Sequence, residues 1–119
     1  MIAAAVIVAG AIGALLRYLL SRRLSDSRSP FPWAVLTVNV AGSAIGGLVL
    51  GLATAGALSS DLRLILLTGF CGGLTTFSTF SVESIQLVLD GKARYAVASV
   101  LLNLVLGIAA AALTFALVA

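Results

Sequence analysis

Hydrophobic residues in this chain fall into runs long enough to cross a lipid bilayer, which takes about 20 residues of helix. The runs are Ile2–Leu20, Trp33–Ala55, Leu62–Leu89 and Tyr95–Val118, and polar linkers separate them at Ser21–Pro32, Gly56–Asp61 and Asp90–Arg94. This pattern predicts an all-α integral membrane protein. Its four transmembrane helices fall at about 2–21, 33–55, 62–90 and 94–118, in a single domain over 1–119. The third run is long for one span at about 1.5 Å per residue, which predicts a helix interrupted in its middle. That middle reads Gly69-Phe-Cys-Gly-Gly-Leu-Thr-Thr-Phe-Ser-Thr-Phe80. A glycine pair followed by hydroxyl residues disfavours continuous helix. Non-helical backbone at membrane depth is tolerated only inside protein or beside a watery cavity. The stretch is therefore either a helix crossing or the working part of a pathway.

Within the runs, small and polar residues recur at helical spacing. The first carries Gly10, Gly13 and Ala14, followed by Arg17 and Tyr18, and the second carries Asn39, Gly42 and Gly46 beside Gly47 and Gly51. Small residues at this spacing let helices approach closely. Arg17, near a helix end, has a plain reading as a side chain that snorkels to the interface. Asn39 has two readings that the sequence leaves open: an amide joining helices, or a pair of N–H donors offered to an anion. Phe77 and Phe80 share a helix face that Ser81 and Ser84 continue. An aromatic ring has a positive edge, so these rings are either apolar bulk or an uncharged surface that favours an anion. Glu83 is an acid at membrane depth, with a helix-end or pairing role as its plainer reading. The fourth run aligns Tyr95, Ser99, Asn103, Gly107, Ala110 and Thr114 in one stripe.

Composition narrows the classes. The chain is 61% hydrophobic and 9% charged, far from the soluble range. Its net charge of +3 is no nucleic-acid footprint, because the basic residues sit beside the ends of the apolar runs. There is no histidine, and the single cysteine, Cys71, has no partner in the chain for a disulfide. The start, Met-Ile-Ala-Ala-Ala, lacks a positive region and is expected to be a retained helix. With no histidine, no paired carboxylates and no nucleotide motif, the chain is expected not to be an enzyme. Arg17, Arg22, Arg23, Arg28, Lys92 and Arg94 lie at one membrane face and Arg63 at the other, so the positive-inside rule puts both termini outside. What the spans offer at depth is neutral donors, including Asn39, Thr75, Thr76, Thr79 and Ser81. Such donors suit an ion that must bind and leave quickly.

The segments Gly10-Ala-Ile-Gly-Ala-Leu-Leu-Arg-Tyr18, Asn39-Val-Ala-Gly42 and Gly69–Phe80 together resemble the signatures of the bacterial fluoride channels called Fluc or CrcB. The resemblance covers the whole chain, and the third segment is its most specific part. It implies an antiparallel dimer with two pores that exports fluoride passively across the bacterial plasma membrane. The second subunit would be an identical copy or a paralogue. Carried over by position, Asn39, Phe77 and Phe80 match the pore lining, with Thr79 and Ser81 as hydroxyls beside it and Arg17 as a structural residue. A structural Na+ bound through backbone carbonyls would fall on Gly72 and Thr75. Two other classes compete. A proton-coupled drug or metabolite exporter of this size wants a carboxylate in the first helix, and Ile2–Leu20 has none. A non-conducting structural subunit would explain the glycines but not the Gly-Gly-Leu-Thr-Thr-Phe run.

Overall fold

In the computed structural model, which describes residues 1–119, every regular element is helical. The helices are α1 (Ile2–Leu24), α2 (Trp33–Thr54), α3 (Ser60–Leu64), α4 (Gly72–Leu74), α5 (Phe77–Leu89) and α6 (Ala93–Val118), and a π-helical segment, Ile65–Cys71, joins α3 to α4. Segments α3 to α5 form the third span, Ser60–Leu89, which with α1, α2 and α6 gives four helices long and apolar enough to cross a membrane.

The span ends follow local capping. Arg22 and Arg23 sit in the last turn of α1, where the helix dipole favours cations, and carry the helix to Leu24, beyond the expected end at 21. Ser59 caps α3 by accepting the Leu62 N–H at 3.2 Å, so the third span starts at Ser60 rather than 62. Gly56 and Gly91 adopt φ of 80° and 74°. Each lets the next residue bond back over the helix end, Ala57 N to Leu52 O at 2.9 Å and Lys92 N to Leu87 O at 2.8 Å.

The interior is small. Only 18 of 119 residues are buried, and large apolar side chains such as Ile7, Ile12, Leu104 and Leu113 point outward. That is the inverse of a water-soluble bundle and suits a lipid surround. Close backbone approach replaces a thick core. α2 packs most extensively on α6, where a Cβ on Gly47 would strike the Ala111 backbone and one on Gly51 would lie 2.9 Å from the Phe115 carbonyl oxygen. α1 packs on the π segment and α4, with Gly13 and Gly73 at the crossing. α5 instead packs on α6, so the two halves of the third span have different partners.

The break between those halves is real, but it does not fall at the glycine pair. Gly72 and Gly73 are helical, and the extended residues are Thr75 (φ −83°, ψ 160°) and Thr76 (φ −147°, ψ 122°). Gly73 serves the crossing, because its missing Cβ makes room for the Gly10 carbonyl.

Candidate functional site

Thr75 and Thr76 leave the helix because other groups take over their hydrogen bonds. Thr75 still closes α4, its N–H and its hydroxyl each donating to the Cys71 carbonyl at 2.9 Å. The Thr76 N–H would reach Gly72 in a continuous helix. It donates instead to Asn39 Oδ1 at 2.9 Å, and Asn39 Nδ2 donates to the Thr76 carbonyl at 3.2 Å. One amide of α2 thus pairs with both backbone groups of one residue in the break. The Thr76 hydroxyl then caps α5, accepting the Thr79 N–H at 3.1 Å. With those partners diverted, the carbonyls of Gly72 and Thr75 gain no backbone N–H across the break.

A second amide completes the clasp. Asn39 Nδ2 also donates to Asn103 Oδ1 at 3.1 Å, and Asn103 Nδ2 donates to the Ser99 carbonyl at 2.8 Å. Ser99 is wholly buried on α6. The polar line Ser99, Asn103, Asn39, Thr76 ties α6, α2 and the break together at membrane depth. There each amide group left unpaired would cost about 1–3 kcal/mol.

Beside this line lies a recess of about 410 Å³, walled by Asn39, Ser43, Thr75, Thr76, Phe77, Phe80, Val100, Asn103 and Leu104. The Phe77 and Phe80 rings stand 6.0 Å apart and tilted at 46°. Phe77 is 80% exposed within the single chain, so the recess lacks a wall on that side. The N-terminal end of α5 also lies here, with the partial positive charge of a helix start. No side chain of full charge lines the recess. Its chemistry is amides, hydroxyls and aromatic rings; donors of this kind, and a ring edge turned to an anion, can lower the energy of a small anion without trapping it.

The chain belongs to the CrcB-like family. The family model described as CrcB-like protein, Camphor Resistance (CrcB), matches residues 4–115. A Yersinia pseudotuberculosis protein called "Fluoride-specific ion channel FluC 1" is 41% identical over 115 residues, covering 96% of this chain and 91% of that protein. One from Rhodococcus jostii, "Fluoride-specific ion channel FluC 2", is 46% identical over 112 residues, covering 94% of each. A third, from Serratia proteamaculans, "Fluoride-specific ion channel FluC", is 40% identical over 119 residues. The likeness named from sequence is thereby established. Bacterial CrcB-like relatives and four spans make this a multi-pass protein of the bacterial plasma membrane, in a family of ion channels rather than a class of enzymes.

Against this CrcB-like frame, the residues expected at the site divide. Asn39, Phe77, Phe80 and Thr75 line the recess. Asn39 does so with both amide hydrogens engaged by protein acceptors. Thr79 and Ser81 lie off it: the Thr79 hydroxyl accepts from Thr76 at 3.1 Å, and the Ser81 hydroxyl donates back to the Phe77 carbonyl at 2.8 Å. Mid-helix hydroxyls commonly bond to the preceding turn in this way. Gly72 is exposed at the end of the unpaired carbonyl run. Arg17 is half-buried on α1 and makes no ion pair. Ser43 went unpredicted, although its place four residues after Asn39, one turn along the same face, was a usable signal.

Proposed function

We propose that the chain is a subunit of a fluoride-selective channel that lets F− leave the cytoplasm down its gradient. The observation that carries this reading is the recess, in which two phenylalanine rings, an amide pair and a helix start converge with no fixed charge. The names of the relatives support fluoride as the ion. Fluoride is small and strongly hydrated, so it needs several donors in place of water, and it must leave as readily as it enters.

A second, antiparallel subunit, identical or paralogous, supplies the missing wall beside Phe77. The 80% exposure of that ring and the opening beside it support this partner. A structural Na+ at the subunit contact is the natural occupant for the unpaired carbonyls. Gly72 and Thr75 would hold it, because unwound carbonyls at membrane depth suit a hard cation. The ion would offset carbonyl dipoles that two copies turn toward each other. Expression in a bacterium lacking fluoride export tests the proposal. Restored growth on fluoride is expected, and growth no better than with an empty vector would count against it.

A further inference from the structure

The donor arrangement at Asn39 raises a question that the recess alone does not answer. An anion path needs hydrogen-bond donors, yet one Asn39 hydrogen goes to the Thr76 carbonyl and the other to Asn103 Oδ1. The two bonds differ in kind. The first belongs to a two-point pairing, since Asn39 Oδ1 also receives the Thr76 N–H at 2.9 Å, and the broken span depends on it. The second is a single bond between side chains, and both side chains line the recess. It can open without disturbing the break.

We propose that Asn103 is a positioning residue that acts as a stand-in acceptor. Its Oδ1 holds the second Asn39 hydrogen between ions and yields it to fluoride as the ion passes. This rests on the recess being a fluoride path. Between ions, a half-buried Asn39 donor at membrane depth would be costly to leave without an acceptor, and Asn103 removes that cost. When fluoride arrives it must displace a protein acceptor, so the bond it gains is partly cancelled and release stays fast. Asn103 is held for this task from behind, because its Nδ2 donates to the Ser99 carbonyl at 2.8 Å and lies 3.4 Å from the Ser99 hydroxyl. With its nitrogen fixed on α6, its oxygen faces Asn39.

The test compares fluoride flux through wild type, Asn103→Leu and Asn103→Asp in liposomes over a range of fluoride concentrations. Leucine keeps the branched shape and removes the acceptor. Half-saturation should then fall by about three- to tenfold, with a lower maximal flux, as expected for the loss of one competing neutral hydrogen bond. Aspartate keeps the shape and strengthens the acceptor, since charge-assisted bonds are roughly twice as strong, and although it gives up the Nδ2 bond to the Ser99 carbonyl and adds charge that itself opposes an anion, half-saturation should rise by about tenfold or more. Opposite shifts from two variants of similar shape are not what a purely structural strut would produce. If wild type conducts and both variants shift the same way, or stay within about twofold of wild type, the stand-in role is overturned. It is likewise overturned if neither variant assembles, since Asn103 is then a strut. Absence of fluoride flux in wild type would instead defeat the channel reading itself.

Discussion

Two glycines meet at the crossing of α1 and α4, and the structure predicts opposite outcomes for the same substitution at each. A Cβ on Gly73 would fall on the Gly10 carbonyl oxygen, with the Gly10 carbonyl carbon at 2.9 Å and its Cα at 3.0 Å. Those are backbone atoms, so relief requires moving a whole helix. A Cβ on Gly10 would meet only the Gly69 carbonyl oxygen at 3.5 Å, an ordinary contact. Both residues are helical, so alanine brings each the same intrinsic gain of about 1 kcal/mol. That gain cancels in the comparison and leaves the overpacking term, about 1–3 kcal/mol, on Gly73→Ala alone. Equilibrium unfolding by SDS titration in mixed micelles reads the difference. Gly73→Ala should unfold at lower SDS than Gly10→Ala by that margin. Equal midpoints, or a lower midpoint for Gly10→Ala, would refute the close crossing and return the Gly72–Gly73 pair to the role of helix breaker.

Three further outcomes are expected. Phe77→Ile and Phe80→Ile keep apolar bulk but lose the ring edge, and each should slow fluoride efflux by about two- to tenfold while the dimer persists; unchanged efflux from both would return the rings to packing. Cysteines placed at Ser27 and Ser59 should label from opposite sides of intact cells, Ser27 from the cytoplasmic side, because six of the seven basic residues lie at one face. Equal two-sided labelling at both sites would show dual insertion, and one-sided labelling would call for an oppositely oriented paralogue as partner. Complete exchange of Na+ for a large organic cation should weaken the dimer; a dimer and a fluoride flux that both survive it would exclude the structural cation.

The four spans were legible because each depends on one property, apolar length, that neighbouring helices do not alter. Span ends were less so: Ser59 and the arginine pair Arg22 and Arg23 shift them by a few residues through capping. The π segment Ile65–Cys71 left no mark in the pattern, since a wider turn changes the phase of a helix without changing its composition. The break was expected over Gly72–Thr75, from a glycine pair followed by hydroxyl residues, and it begins only at the hydroxyl end of that stretch, at Thr75. Flexibility at Gly72 and Gly73 only permits a break, whereas the Asn39 amide, 37 residues away in sequence, makes one at Thr76. A longer separation, 64 residues, hid the link from Asn39 to Asn103. Phe77 and Phe80 were legible as a pair because their spacing fixes a shared face. Thr79 and Ser81 were not separable from them by sequence, because a hydroxyl's direction depends on which carbonyl or hydroxyl it finds first.

Selective passage of fluoride through the uncharged recess is read out by efflux from liposomes containing the purified protein. Parallel samples are loaded with fluoride and with chloride and followed with ion-selective electrodes. Rapid fluoride loss that depends on the protein is expected, with chloride retained as in protein-free liposomes. Comparable release of both anions, or fluoride retention equal to the protein-free control, would contradict it.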